Sequence, residues 1–259
     1  MIKITWFGTA TIRIEVNGEK LLFDPFFRRN KRLEQPPLET FCNVEYIFNT
    51  HSHFDHLCDM KQILQNSEAQ FYGSSTAYKR LKAQEVDVEN KVSVIHPNET
   101  IFTQNTQVLL HNSKHIKNNL GIILKTALRV IFKFQVHKAV QILNLHNDYR
   151  MGGEIVAFEI DAEDKKILLF GSAGIDENVE LPKDIDVLIW PFQGRTGMTK
   201  YSLPIIEKIN PKIVILDHFD DAFPPITGTV KTEKVIKTMK KKHPKMSVLV
   251  PEFGKTIEI

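Results

Sequence analysis

The chain has 259 residues, 42% hydrophobic and 25% charged, an ordinary soluble-domain composition in which no apolar run approaches the roughly 20 residues that cross a bilayer. That length can bury one large core, so a single domain over residues 1–259 is expected, and a net charge of +3 is only mildly basic. The N-terminal "MIKITWFGTATIRIEV" alternates like a strand and lacks the pattern of a secretory signal. Cys42 and Cys58 are too few for a disulfide framework, so a reducing cytoplasm is the expected compartment. In chain order, that first segment, the turn Asn17-Gly18 and "EKLLFDP" read as a hairpin. A charged, proline-containing loop follows over residues 26–38. "VEYIF" reads as a short buried strand and "LCDMKQILQN" has helical spacing. "QFYG" and "STAYKRLKAQ" read as strand and helix, and "KVSVIHPNETIFTQNTQVLLHN" as further strands. "EIVAFEI", "KKILLFG", "DVLIWPF" and "KIVILDH" are later strands, with "SLPIIEKI" and "TEKVIKTMKKKH" as helices. Strands first, then strands alternating with helices, indicate a layered α/β domain without repeats.

Between two of these elements stands "NTHSHFDHLCD", residues 49–59, with His51, His53, Asp55 and His56 within six positions. Imidazole nitrogen and carboxylate oxygen suit borderline cations such as zinc, and a loop leaving a strand can aim alternate side chains at one point. His51 and His53 can share one ion, and Asp55 and His56 can face a second, an arrangement that activates a water. The bland reading, a polar loop with histidines by chance, is disfavoured by the density of the cluster.

His51-Ser-His53-Phe-Asp55-His56 resembles the HxHxDH signature of the metallo-β-lactamase superfamily. "EKLLFDP" resembles that family's early strand ending in an aspartate, here Asp24, and "KIVILDHFD" its late strand ending in a histidine, here His218. Outside residues 117–150 the likeness covers most of the chain, and it looks nearest to the branch containing L-ascorbate-6-phosphate lactonase and N-acyl-phosphatidylethanolamine-hydrolysing phospholipase D. The resemblance implies a four-layer αββα sandwich, to which the chain adds a helical insertion near 117–150. It also implies a hydrolase in which a metal-bound hydroxide attacks an ester, lactone or phosphodiester. Zn2+ is the implied ion, one or two per chain, with Mn2+ or Fe2+ as alternatives. His51 and His53 fall on the first metal, Asp55, His56 and His218 on the second. His115, after "TQVLLHN", is the choice for a third histidine on the first metal, with His111 and His146 as rivals; His96, His137 and His243 read as surface or packing residues. Asp55 would also orient the attacking water.

The chain departs from the family at Gly171-Ser172, where a second Gly-Asp would supply a carboxylate bridging both ions. A hydroxyl brings no charge to offset two dications, so the second metal is expected to bind weakly. Asp176 and Asp148 are alternative carboxylates without the right spacing. Ser172 either donates a hydrogen bond in catalysis or simply fills a tight turn. Cys58 reads as a small buried residue rather than a nucleophile.

Residues 100–147 contain no acidic side chain, while Lys114, Lys117, Lys125, Arg129, Lys133 and Lys138 give that window +6, leaving −3 (3 − 6) elsewhere. Within it one amphipathic helix is expected over 117–140, with Leu120, Leu124, Ala127, Ile131 and Phe134 on one stripe and Lys125, Arg129 and Lys133 on another, Phe132 and Val136 lying on the basic side. It reads either as a packed helix with solvated lysines or as a lid meeting an anionic, lipid-like substrate or a membrane surface. The competing function is a catalytically degraded metal-binding relative or a nucleic-acid-binding protein of the same fold, which rests on Ser172 and the basic segment. Nucleic acid is disfavoured because no clamping domain is evident.

Overall fold

The computed structural model describes residues 1–149, 153–177 and 179–259. A first sheet is laid down by β1 (Ile2–Trp6), β2 (Ile12–Val16), β3 (Glu19–Phe23), β4 (Tyr46–Phe48), β5 (Gln70–Gly73) and β6 (Val92–Val94), in that spatial order. A second contains β7 (Thr100–Phe102), β8 (Thr106–Asn112), β9 (Val156–Ala162), β10 (Lys165–Phe170), β11 (Val187–Pro191), β12 (Ile213–Asp217) and β13 (Ser247–Leu249), again in spatial order. β14 (Thr256–Glu258) then returns to pair antiparallel with β1, so each sheet has seven strands. The flanking helices are α1 (Glu39–Cys42), α2 (Phe54–Leu57), α3 (Met60–Gln65), α4 (Ser75–Ala83), α5 (Val88–Lys91), α6 (Leu120–Phe132), α7 (Val136–Asp148), α8 (Met198–Ile209) and α9 (Glu233–Lys242).

Three apolar cores show the layering. Ile4, Ile14, Phe23, Phe158, Ile160 and Ile189 pack in the core between the sheets. Leu22, Ile47 and Phe71, on the opposite faces of the same strands, meet Phe54, Met60, Ile63 and Leu81 from the helices outside the first sheet. Leu168, Leu188 and Leu216 meet Ile206, Val235 and Met239 outside the second. Strands covered on both faces need apolar residues throughout, and every residue of β11 is buried. Phe48 stacks on Phe23 with centroids 5.2 Å apart, and Phe158 closes on both from the other sheet. Truncating one such ring to alanine costs about 3–5 kcal/mol. This is the αββα sandwich that the resemblance implied.

The strands expected from sequence form, with three differences. "KITWFGTATIRIEV" is two strands, because Gly8 (φ 99°) and Thr9 (φ 51°) reverse the chain between β1 and β2. The helix expected over 117–140 is a helical hairpin: α6 ends at Phe132, Phe134 takes φ 50°, and α7 begins at Val136. β13 and β14, three residues each, were not anticipated; in strands that short the alternation is too brief to be distinctive.

Topology decides where the chemistry gathers. β3 and β4 run parallel, as do β10, β11 and β12, and β8 runs with β10 because both are antiparallel to β9. Their C-terminal ends therefore share one edge of the sandwich, where loops carrying polar side chains converge.

Candidate metal centre

Asp24 follows β3 with φ 45°, a conformation aspartate tolerates better than most residues. It is fully buried and accepts from four donors: Asn49 Nδ2 at 3.0 Å, Thr50 N at 2.8 Å, the Thr50 hydroxyl, and His56 Nδ1 at 2.8 Å. Asp24 also falls within 4.8 Å of ring nitrogens of His51 and His56, but those four donors occupy both its oxygens, so its carboxylate orients the loop after β4 and the two histidines. Because the Thr50 hydroxyl gives its proton to Asp24, it accepts from His51 Nδ1, 2.9 Å away. The His51 Nε2 lone pair then faces the site. His56 Nδ1 likewise donates to Asp24, freeing its Nε2.

His51 Nε2 lies 3.2 Å from His53 Nδ1, and one ring nitrogen of His115 completes a set whose atoms all fall within 4.8 Å. His115 donates Nδ1–H to the carbonyl of Ile116 at 2.8 Å, which leaves Nε2 available. The His51–His53 separation is close to the roughly 3.3 Å expected for two nitrogens sharing a tetrahedral ion with bonds of about 2.0 Å. Burial first, and then the neighbouring imidazoles, lower the pKa of His51 and bring that of His53 down to about 3; burial also lowers His115. All three are neutral near pH 7 and offer lone pairs without a competing proton.

A second set, again within 4.8 Å, joins Asp55, His56 and His218. Asp55 Oδ2 is 3.2 Å from His218 Nε2 and 3.7 Å from His56 Nε2. Burial disfavours charge on both members of the Asp55–His218 pair. Contact with His56 and His218 nevertheless holds Asp55 below its ordinary range, and Asp55, Asp217 and Asp220 raise His218 to about 9. His218 itself has φ 51°, which turns its ring from the end of β12 towards the first sheet. The neutral nitrogens of the first set suit a transition ion directly, and in the second the ionised Asp55 carboxylate draws a cation that would take the place of the His218 proton.

The structure brings His51, His53, Asp55, His56, His115 and His218 together. It sends His111 elsewhere, to Glu159 at 2.7 Å on the neighbouring strand. His146 reaches the pocket from α7, its ring 5.3 Å from that of His53, although it joins neither set. Asp176 accepts from Lys114 and Asn112, and Asp148 is exposed at the end of α7, so neither substitutes for a bridging carboxylate. Ser172 is buried beside the pocket, its hydroxyl accepting the backbone N–H of Ile116 at 3.0 Å. The preceding Gly171 could not be replaced: a Cβ there would stand 1.9 Å from Thr50 Oγ1. Burial raises the Cys58 thiol pKa, in keeping with a packing role. The residues that sequence reading missed are Asn49 and Thr50, polar loop residues visible only as donors to Asp24, and Arg195.

Arg195 belongs to a loop tied to the hairpin: Asn119 caps α6 by accepting from Ile122 N and donates to Thr196 Oγ1 at 3.0 Å. The Arg195 guanidinium lies 4.4 Å from the Tyr201 ring centroid, its Nε is buried without a partner, and among the described residues no carboxylate pairs with it. Arg195, Lys125 and Arg129 line a pocket of about 780 Å³ above the histidines, and Asp55 is the only acidic side chain on its wall among the described residues. The remaining wall is largely apolar, from Ile122, Val130, Ile142 and Phe223.

Residues 3–218 match the family described as the beta-lactamase superfamily domain. A UPF0173 metal-dependent hydrolase of Methanopyrus kandleri is 24% identical over 229 residues, covering 87% of this chain and 86% of that protein. One from Staphylococcus epidermidis is 26% identical over 238 residues, covering 87% and 88%. Among solved structures, Igni18, a metallo hydrolase from Ignicoccus hospitalis, superposes with a TM-score of 0.71 at 18% identity over 100% of this chain and 99% of that one. With the family match spanning most of its length and the histidine sets built at the edge where its strands end, the chain belongs to the metallo-β-lactamase superfamily.

Proposed function

We propose that this metal-dependent hydrolase cleaves an ester, lactone or phosphodiester bond in an anionic substrate that carries an apolar part. The observation that carries the reading is the pocket itself: two histidine-containing sets at its floor, apolar walls, and two cations, Lys125 and Arg195, with no carboxylate partner among the described residues. The nearer kinship to the lactonase and phospholipase D branch, zinc as the ion, and a cytoplasmic location are parts of the same proposal. Free thiols at Cys42 and Cys58 support the last.

An ion held by His51, His53 and His115, with a second at Asp55, His56 and His218, would supply Lewis acidity and make a water acidic enough to react near neutral pH. Asp55, kept ionised by its histidine neighbours, accepts a hydrogen bond from the attacking water and orients it. Ser172, having accepted from Ile116 N, has its own O–H left to donate towards developing negative charge. Arg195 holds the anionic group, and the apolar walls exclude bulk water around the reacting bond.

The test is turnover across matched anionic and neutral esters, lactones and phosphodiesters. Anionic members should be preferred, His53→Ala should abolish turnover, and Arg195→Met should raise KM for anionic substrates by roughly ten- to a hundredfold, as expected for losing a charged hydrogen bond, while sparing neutral analogues. Full activity in His53→Ala would refute the mechanism, and equal KM changes for neutral and anionic substrates would refute the role of Arg195.

A further inference from the structure

The geometry points to the α6–α7 hairpin as a docking element for an anionic lipid bilayer, placed so that an amphiphile leaving the surface enters the metal pocket. In α6 no residue is buried, although its sequence is among the most apolar in the chain. At 100° per residue Leu120, Ile123, Leu124, Leu128, Ile131 and Phe132 occupy about half of its circumference, and all are exposed. The opposite half, with Ile122, Thr126, Arg129 and Val130, faces the protein. An amphipathic helix ordinarily buries its apolar half, and this one turns it outward. Phe134, 89% exposed at the tip, continues the apolar surface into Val136 and Val140 of α7. So large an apolar patch marks a surface meant to be covered.

Charge selects what covers it. Lys117, Lys125, Lys133 and Lys138 flank the patch without a carboxylate partner among the described residues, and no acidic residue occurs from 100 to 147. A second copy docking through the same face by a two-fold axis would set these lysines against their own counterparts. A bilayer containing anionic headgroups accepts the apolar side chains between acyl chains and pairs with the lysines at headgroup level. No helix among the described residues is long and apolar enough to cross a membrane, so the contact is peripheral. Ile123, Ile131 and Val140 belong at once to the exposed patch and to the pocket wall, which makes the path from surface to site continuous.

Binding is read by sedimentation of the full chain with vesicles of phosphatidylcholine alone and of phosphatidylcholine with 30% phosphatidylglycerol. The anionic vesicles should bind on the order of tenfold more tightly, and raised salt should weaken that preference. Leu124→Ser/Phe132→Ser/Phe134→Ser, all at exposed positions outside the pocket, should abolish binding. Lys117→Glu/Lys133→Glu/Lys138→Glu should erase the preference for phosphatidylglycerol. Neither triple variant should change metal content. Absence of wild-type binding to the anionic vesicles, or binding that survives both variants, would overturn the proposal. So would a stable wild-type dimer in solution that the serine variant converts to monomer. The assay needs no turnover, so its failure and failure of the proposed chemistry are distinguishable.

Discussion

Ser172 Oγ accepts the backbone N–H of Ile116 at 3.0 Å, so the residue standing where the family places a bridging carboxylate instead anchors the segment that carries His115. A serine can do this and still fail to neutralise a second dication. Protein prepared without added metal should hold about one transition ion per chain tightly, with the second set partly filled. Ser172→Asp keeps an acceptor for Ile116 N and should bring the second ion to near full occupancy. Elemental analysis after dialysis against a mild chelator reads both; two tightly held ions in the unsubstituted protein would contradict the argument.

Asp24 should prove the costliest single position near the site. Its buried carboxylate satisfies four donors, and alanine would leave all of them unpaired at a residue with positive φ. A loss of about 3–5 kcal/mol in urea unfolding is expected for Asp24→Ala. Asp24→Asn keeps one oxygen for Asn49 and Thr50 N and tolerates the backbone angle, so it should cost less. Its amide would however face the His56 Nδ1–H as another donor, which should weaken metal affinity by roughly ten- to a hundredfold.

How far the sequence disclosed this arrangement follows from the range of the interactions. His51, His53, Asp55 and His56 fall within six consecutive positions, on the loop after β4 and on α2, so their convergence was legible as spacing, and Asp24 and His218 were legible because each ends an apolar strand. The partners of Asp24 were not: Asn49 and Thr50 look like loop polarity until β3 and β4 are set side by side. Arg195 was hidden for the same reason, since its lack of a carboxylate partner is a property of the folded pocket.

The insertion shows the limit more sharply. Periodicity identified the apolar stripe of Leu120 and Leu124 but not which way it faces, and a protein-facing stripe is the commoner outcome. Nor did spacing reveal that Arg129 leaves the row it forms with Lys125 and Lys133. Its guanidinium turns inward to the carbonyls after Phe223, so the basic row is not a single exposed surface.

That inward turn gives the last prediction. Arg129 Nη1 donates to the carbonyls of Pro225 at 3.3 Å and Ile226 at 2.8 Å, and to that of Thr227. With no buried residue in α6, these bonds and the Asn119–Thr196 contacts are among the few polar ties fastening the helix to the body. A segment with so little buried surface opens at low free-energy cost, independently of the sandwich core. Arg129→Met retains the aliphatic bulk but removes the donors. It should accelerate hydrogen exchange across residues 120–132 and proteolytic cleavage near Phe134 by roughly tenfold, as expected for about 1.4 kcal/mol lost from one charged donor. The thermal midpoint of the domain should move little, because the three apolar cores lie elsewhere. Unchanged exchange in α6 would mean that apolar contacts alone hold the hairpin, whereas a large drop in midpoint would mean that it folds as one unit with the sandwich.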